Sequence, residues 1–263
     1  MLQSPANPLC ANILRLLLGI PMPLTYKPAT SPLTHPNLTD EQRVVIQHLK
    51  GNCPILFQQA PAGTGKTFVI AAFIQEYMQN SPNEIVFLAA TTNMAVSNMA
   101  QAVLKLMPQL SPNELLYLQS LTNERLVNAD DYLWNQHRLP ELMTRLIPLD
   151  HFHPDELNFA RDYTGNRLPH DGKGCHETKA LYLALKTNTV RIILGTVAML
   201  EQYLPVLKNY IQRCIFDEAG LIPEAQLLTI LAGLPEICQV FLTGDLQQLP
   251  AYSENDVCRW ICN

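Results

Sequence analysis

The sequence predicts an α/β fold in which a mainly parallel sheet carries helices on both faces. Apolar runs of strand length, such as residues 84–90, 191–195 and 236–245, alternate with segments of helical period. Because these runs are almost continuously apolar, they are typical of parallel strands that are buried on both faces. The chain has 263 residues, of which 48% are apolar, and this is enough for one large domain with a sizeable core.

The first 36 residues differ from the rest because they hold 7 of the 20 prolines. We expect residues 1–36 to be an extended lead-in or the remnant of an upstream domain. Their apolar stretch is interrupted by Arg15, is too short to span a bilayer and has no basic residue before it, which argues against a membrane span or a signal peptide. The 7 cysteines form no Cys-x-x-Cys pair, so we expect a cytoplasmic or nuclear protein with no membrane partner.

Residues 54–78 carry the pattern of a strand, a glycine-bearing loop and a helix. The run "PILFQQ" predicts a buried strand, and "FVIAAFIQEYM" predicts a mostly buried helix. The loop between them consists of Ala60, Pro61, Ala62, Gly63, Thr64, Gly65, Lys66 and Thr67. In this context backbone N–H groups converge at a helix N-terminus and favour an anion. The alternative is a chance glycine loop, which the flanking strand and helix disfavour.

The loop fits the phosphate-binding pattern G-x-x-x-x-G-K-[ST] except at its first position. Lys66 would reach the β- and γ-phosphates of a nucleotide, and the Thr67 hydroxyl would ligate Mg²⁺. Ala60 stands where glycine is usual, so the loop departs from the pattern by one methyl group. Alanine is penalised there only if the position needs a positive φ. We therefore predict that the loop binds a nucleotide.

Residues 108–188 interrupt the alternation of strands and helices with prolines, aromatic residues and polar clusters. This segment holds 11 acidic and 8 basic residues, so it is not a basic clamp for nucleic acid. We predict that it is an inserted, mostly helical subdomain. The α/β domain would then consist of residues 37–107 and 189–251, followed by a short tail at 252–263.

Acidic and amide side chains follow two later strands at their carboxyl ends, where open α/β sheets bind ligands. Asp217 and Glu218 follow "RCIF"; Asp217 would hold Mg²⁺, and Glu218 would orient and deprotonate the water that attacks the γ-phosphate. After "VFLTG", Asp245 adds a carboxylate, and Gln248 would hydrogen-bond the γ-phosphate or that water. The alternatives are an acidic pair that simply ends a strand, for Asp217 and Glu218, and a surface turn, for Asp245 and Gln248. The phosphate loop followed by these two segments, in this order, favours a nucleotide site.

The segments "APAGTGKT", "DEAG" and "GDLQQLP" resemble motifs I, II and III of superfamily 1 DNA/RNA helicases, most of all the branch of the nonsense-mediated-decay helicase. The resemblance implies the first RecA-like domain of a P-loop NTPase, with ATP and Mg²⁺ as cofactors. The chain departs from that family at Leu246, where proline is usual, at Gln247, where a basic residue is common, and at Ser97, where aspartate is usual. These departures indicate a divergent member.

Three further stretches resemble motifs of the same family. "AATTNMAVSNM" resembles motif Ia, which implies that Thr92 and Asn93 touch nucleic-acid phosphates, and "LGTVAML" resembles the next motif, which places Thr196 near the nucleic-acid strand. "LTDEQRVVI" resembles the adenine-reading Q motif, with Gln42 as the amide that reads the base. Thr39 and Gln42 also have the spacing of a helix capping box, and one residue can serve both purposes.

The helicase resemblance covers one of the two RecA-like domains between which ATP lies in that family. The second domain supplies arginines to the γ-phosphate and completes the nucleic-acid track. We therefore expect this chain to bind Mg-ATP, to hydrolyse it slowly if at all and to bind single-stranded RNA or DNA weakly, with a second RecA-like domain or a partner protein completing it. The net charge of −5 agrees with weak nucleic-acid binding. The alternatives are a nucleotide-switched binding protein and a P-loop NTPase unrelated to nucleic acid.

Overall fold

The computed structural model describes residues 8–21, 23, 26–61, 63–80, 84–119, 136–168 and 174–245. Within these residues the strands are β1 Ile55–Gln59, β2 Ile85–Ala90, β3 Leu115–Leu118, β4 Ile192–Thr196, β5 Ile211–Phe216 and β6 Gln239–Gly244. The α-helices are α1 Pro8–Leu17, α2 Asp40–Lys50, α3 Lys66–Asn80, α4 Asn93–Leu106, α5 Leu139–Leu146, α6 Pro154–Thr164, α7 Cys175–Lys186, α8 Val197–Leu207 and α9 Glu224–Ala232. None of these described helices is long and apolar enough to cross a membrane.

Every strand pairing in this sheet is parallel, and the strand order is β1-β6-β5-β2-β4-β3. The predicted fold class is therefore confirmed. Because the strands are parallel, their carboxyl ends lie along one edge of the sheet. The register pairs Gln59 with Gly244 and Ala89 with Phe216. The residues that follow β1, β6, β5 and β2 consequently meet at this edge.

The sheet separates two hydrophobic clusters, one on each face. Successive side chains of a strand point to opposite faces, so Phe87 and Leu88 of the fully buried β2 belong to different clusters. Helices α3 and α4 cover one face, where Ile70 and Met99 are fully buried. Helices α1, α5, α7, α8 and α9 contribute to the cluster on the other face. Helices on both faces were predicted, and the structure confirms them.

Two segments have structure that the sequence did not indicate. Residues 8–17 belong to the segment expected to be an extended lead-in or the remnant of an upstream domain; they form the helix α1, in which Cys10 and Ile13 are fully buried. Helix α1 begins at Pro8, and proline is tolerated in a first helical turn because the N–H it lacks has no partner there. Residues 115–118 lie in the segment expected to be mostly helical, but they form β3, which extends the main sheet beside β4.

Strand β1 lies at the edge of the described sheet and is less buried than predicted. Its neighbour on one side is β6. Phe57, at the centre of β1, is 66% exposed, and Gln59 is exposed as well. The prediction of a buried strand is therefore wrong for this strand, because an edge position leaves part of it without a covering layer.

Candidate nucleotide site

A cavity of about 170 Å³ lies at the carboxyl edge of the sheet. It is lined by Lys66, Thr67, Ala95, Asn98, Asp217, Glu218, Gly244 and Asp245. The predicted residues of three separate segments therefore line one cavity. The structure also adds Ala95 and Asn98, which the sequence analysis missed; they lie in the first two turns of α4, a helix that begins at this edge.

The backbone φ angles of the phosphate loop show where the loop requires glycine. Gly63 and Gly65 have φ values of +81° and +84°, in the left-handed region that favours glycine. Ala60 is not among the described non-glycine residues with positive φ, and its N–H donates to the Gly244 carbonyl at 2.9 Å. The alanine that departs from the pattern is therefore accommodated without backbone strain. Ala62 lies outside the described residues.

Lys66 is the first residue of α3 and spans the mouth of the loop. Its ammonium group donates to the Ala60 carbonyl at 2.8 Å and to the Pro61 carbonyl at 3.3 Å. These are neutral acceptors, and a phosphate would be a stronger partner for the same cation. The N-terminus of the 15-residue α3 adds backbone N–H groups and the positive end of the helix dipole. These features are suited to an anion.

Asp217 directly follows β5 and is only 5% exposed. Its N–H donates to the Ala89 carbonyl at 2.8 Å, which extends the β2–β5 pairing, and its Oδ1 accepts from the Glu218 N–H at 2.9 Å. Burial raises the pKa of this carboxyl and the charge of Glu218 adds to the rise, although the Glu218 N–H and Lys66 oppose it. A cation beside Asp217 would stabilise the charged carboxylate, which burial disfavours.

The donor set of the cavity fits Mg²⁺, which prefers oxygen ligands and keeps several waters. The Thr67 hydroxyl and the buried Asp217 carboxylate line the same cavity. The described residues contain no group of three or more His, Cys, Asp or Glu side chains that could hold a metal ion by themselves. A metal ion here would therefore depend on phosphate and water oxygens in addition to these two residues.

Glu218 is held in a sparsely populated backbone conformation, with φ of +56°. Its Oε2 accepts a hydrogen bond from the Thr91 hydroxyl at 2.7 Å. The sequence analysis missed Thr91, although a signal for it exists. Thr91 directly follows β2, and β2 lies next to the strand that ends before Asp217. The conformation and the hydrogen bond together fix where the Glu218 carboxylate lies.

Gly244 allows β6 to pass close to the turn after Glu218. A Cβ atom added at Gly244 would lie 3.1 Å from the Gly220 nitrogen and 3.2 Å from the Ala219 nitrogen. Glycine at this position therefore permits a close backbone approach at the edge of the cavity. Asp245 follows it and lines the cavity, whereas Gln248 lies outside the described residues.

Gln42 lies near the phosphate loop and completes the capping box of α2. The Gln42 N–H donates to the Thr39 hydroxyl at 3.3 Å, and the Thr39 N–H donates to the Gln42 Oε1 at 3.1 Å. The Gln42 Nε2 donates to the Thr64 carbonyl at 3.1 Å. Of the two uses open from the sequence, the capping box is present, and the contact with the loop is new.

The residues expected to touch nucleic acid lie at the same edge of the sheet. Thr92 caps α4 and accepts from the Ala95 N–H at 3.2 Å, and Thr196 caps α8 and accepts from the Met199 N–H at 3.3 Å. The Asn93 carbonyl accepts from a tyrosine hydroxyl, that of Tyr117, at 3.2 Å. Because β2 and β4 are neighbours, the two threonine caps lie near each other. The structure gives the two threonine side chains a helix-capping role and places Asn93 directly after one of them.

The fold and the cavity together define a P-loop NTPase domain with a RecA-like sheet. A family described as an AAA domain matches residues 42–254, which is most of the chain. The chain therefore belongs to this family. Membership implies nucleotide binding, in agreement with the loop described above.

Two relatives from Saccharomyces cerevisiae carry helicase names. The chain is 30% identical over 74 residues to DNA polymerase alpha-associated DNA helicase A. The aligned stretch covers 28% of this chain and 11% of that protein. It is 26% identical over 219 residues to ECM32, which is described as a candidate ATP-dependent RNA helicase. This alignment covers 82% of this chain and 18% of that protein. The chain thus spans less than a fifth of the length of either relative. The predicted resemblance to helicases is confirmed.

The chain is also similar to solved structures of the UvsW helicase of bacteriophage T4. One structure is 12% identical with a TM-score of 0.48, over 88% of this chain and 61% of that chain. Another is 12% identical with a TM-score of 0.49, over 88% of this chain and 35% of that chain. Both are distant similarities.

Proposed function

We propose that this chain is the ATP-binding first RecA-like domain of a superfamily 1 DNA/RNA helicase, built from residues 37–107 and 189–251 around the insertion. The observation that carries the proposal is the shared cavity of Lys66, Thr67, Asp217 and Glu218. If the glycine loop were a chance pattern, or the acidic pair only the end of a strand, we would not expect these side chains to share a cavity. Their meeting is what nucleotide hydrolysis requires.

The chemistry follows from the side chains in the cavity. Lys66 would exchange its two backbone carbonyls for β- and γ-phosphate oxygens, and Thr67 and Asp217 would hold Mg²⁺, which neutralises phosphate charge. Glu218 would accept the proton of the water that attacks the γ-phosphorus, and ADP would leave. Asp245 and Gln248 would contact the γ-phosphate side of the site. Lys66 and Thr67 lie in the first turn of α3, and the other residues follow β5 or β6 in the chain.

Nucleic acid would lie across the exposed surface at the starts of α4 and α8. Thr92, Asn93 and Thr196 would contact the backbone of single-stranded RNA or DNA, and in the complete enzyme hydrolysis would drive translocation. The names of the two yeast relatives support a nucleic-acid partner. Among the described residues that line the cavity, Lys66 is the one cationic side chain, so we expect this chain alone to turn over ATP slowly.

The test is Mg-ATP binding by isothermal titration calorimetry to the wild type and to Lys66→Ala. Removing a cation that binds two phosphates should weaken binding about a hundredfold. The matched control is Lys105→Ala, an exposed lysine in the last turn of the same domain's α4, which should change affinity little. Equal binding by the wild type and Lys66→Ala would contradict the proposal.

Turnover measured with and without single-stranded RNA and DNA distinguishes the proposed function from its two alternatives. Slow hydrolysis that polynucleotide stimulates would support a helicase domain. Mg-ATP binding without any hydrolysis, under all conditions, would instead support a nucleotide-switched binding protein. Hydrolysis that no polynucleotide affects would support a P-loop NTPase of another class.

A further inference from the structure

Asn98 lines the nucleotide cavity from the second turn of α4, and no step of the proposed hydrolysis uses it. Helix α4 packs against α3, whose first turn carries Thr67. Strand β5, which ends just before Asp217, lies between β1 and β2, the strands that lead into these two helices. Asn98 and Thr67 therefore reach the cavity of Asp217 from two neighbouring helices on one face of the sheet.

The Asn98 side chain has no visible role in holding α4 together. Asparagine is a weak helix former, because its side chain competes for backbone hydrogen bonds, and it is favoured at caps instead. The cap of α4 is Thr92. Asn98 is exposed, and among the described residues neither its oxygen nor its NH₂ group has a hydrogen-bond partner. A residue that departs from local preference in this way is expected at a functional site.

The charges around Asn98 explain why a neutral side chain suits this position. Three carboxyl groups, those of Asp217, Glu218 and Asp245, line the cavity together with one cation, Lys66. Burial and the charge of Glu218 already raise the pKa of Asp217, and a further carboxylate would add to this repulsion. An asparagine offers an acceptor oxygen without a charge. It can therefore bind a donor in the cavity at little electrostatic cost.

The donors that such an oxygen fits are the waters of a magnesium ion. Mg²⁺ keeps several waters when it is bound through one or two side chains and the phosphates of a nucleotide. We propose that the Asn98 oxygen accepts a hydrogen bond from a water on the Mg²⁺ of Mg-ATP, and that Asn98 is thus a positioning residue for the metal beside Thr67 and Asp217. This inference rests on the proposed nucleotide binding and adds α4 to the elements that recognise the metal.

The test measures equilibrium binding of a fluorescent ATP analogue to this chain, once with excess Mg²⁺ and once with excess EDTA. Asn98→Ala should weaken binding about tenfold with Mg²⁺ and leave binding in EDTA unchanged, because the lost contact is to a water on the metal. Asn98→Asp should keep the binding with Mg²⁺, since a carboxylate accepts the same hydrogen bond. The same variant should weaken binding in EDTA, where its charge repels the bare phosphates.

The matched control is Gln101→Ala, which removes another exposed amide one turn further along α4 and outside the cavity. It should change binding under neither condition. Equal weakening by Asn98→Ala with and without Mg²⁺ would overturn the inference, because Asn98 would then contact the nucleotide itself. Unchanged binding under both conditions would overturn it as well, since Asn98 would then only line the cavity.

Two results for the wild type separate this inference from the proposed function. If the wild type binds the analogue equally well with Mg²⁺ and with EDTA, nucleotide binding stands and the inference about the metal fails. If the wild type binds the analogue under neither condition, the proposed function fails and the inference fails with it.

Discussion

The amino edge and the carboxyl edge of the sheet each carry a polar cavity. The charged side chains of the two cavities differ in whether they are paired within the chain. At the amino edge, a cavity of about 390 Å³ is lined by Lys50, Glu76, Glu84 and Arg213 among others. Arg213 is 7% exposed; it donates to the Glu84 Oε2 at 3.2 Å and also to Gln239, and its guanidinium lies 4.8 Å from the Tyr77 ring centroid. The cation there is enclosed by partners from its own chain.

At the carboxyl edge the charges are left for a ligand. The Lys66 ammonium is met by two neutral carbonyls, and the buried Asp217 carboxyl has a raised pKa. The amino-edge lysine, Lys50, instead pairs with the Glu76 carboxylate at 2.7 Å. The smaller cavity is therefore the better candidate for a nucleotide site, since charge that the protein leaves uncompensated is a stronger sign of a site than volume is.

The largest expected effect is at the amino edge, in Arg213→Met. Methionine keeps the apolar stem but removes every hydrogen bond of the guanidinium, so Glu84, Gln239 and Asn52 each lose one hydrogen-bond donor. We expect a loss of about 4 kcal/mol in the free energy of unfolding. Urea unfolding measures it, with Arg161→Met on the exposed face of α6 as the control. Mg-ATP affinity should stay unchanged in both variants, and a large loss of affinity in Arg213→Met would contradict the separation of the two edges.

A smaller effect, dependent on pH, is expected for Glu76→Gln. Burial raises the pKa of Glu76, but hydrogen bonds from Lys50 and from the Thr34 N–H outweigh it and lower the pKa below the usual 4.5. The stabilisation by the carboxylate is thus complete above pH 4.5 and is lost as the pH falls through the lowered pKa. We expect a cost of about 2 kcal/mol at pH 7 that disappears in acid.

Unfolding curves between pH 3 and pH 7, for Glu76→Gln, for Lys50→Met and for the double variant, measure this pH dependence. The two substitutions should be strongly non-additive at neutral pH because their side chains form one ion pair. A stability difference that does not change with pH would show that packing of Glu76, and not its charge, matters at the amino edge.

The smallest effect is expected at the carboxyl edge, in Thr91→Val. The substitution removes the hydroxyl that donates to Glu218 and keeps the side-chain shape, so the carboxylate loses its fixed orientation. We expect single-turnover hydrolysis of ATP to slow by about tenfold, with Mg-ATP affinity unchanged. Thr91→Ser should keep most of the rate. An equal rate in Thr91→Val would mean that the hydrogen bond does not orient Glu218 for catalysis.

The sequence predicted most of the sheet because β2, β4, β5 and β6 are apolar runs with clear bounds. It did not indicate β3, which is a four-residue run among prolines and polar residues. It also did not indicate α1, because that helix lies in a proline-rich segment. A short run can be assigned to a strand only when the neighbour that pairs with it is known.

One cavity is lined by Lys66, Thr67, Asp217, Glu218 and Asp245, which follow β1, β5 and β6 in the chain, and these three strands are neighbours in the parallel sheet. The sequence predicted this meeting because ligands bind at the carboxyl ends of parallel strands. The supporting contacts could not be predicted in the same way. Thr91 meets Glu218 across 127 positions of the chain, and Gln42 meets Thr64 across 22. Both contacts depend on how strands and helices pack, which no local pattern reports.

The most direct test of the difference between the edges is amide hydrogen–deuterium exchange of the chain with and without Mg-ATP. Binding at the carboxyl edge should slow exchange in residues 63–67, 217–220 and 244–245, and should leave the amino-edge segments around Arg213 and Glu84 unchanged. Protection confined to the amino-edge segments would contradict the account, because the nucleotide would then occupy the larger cavity.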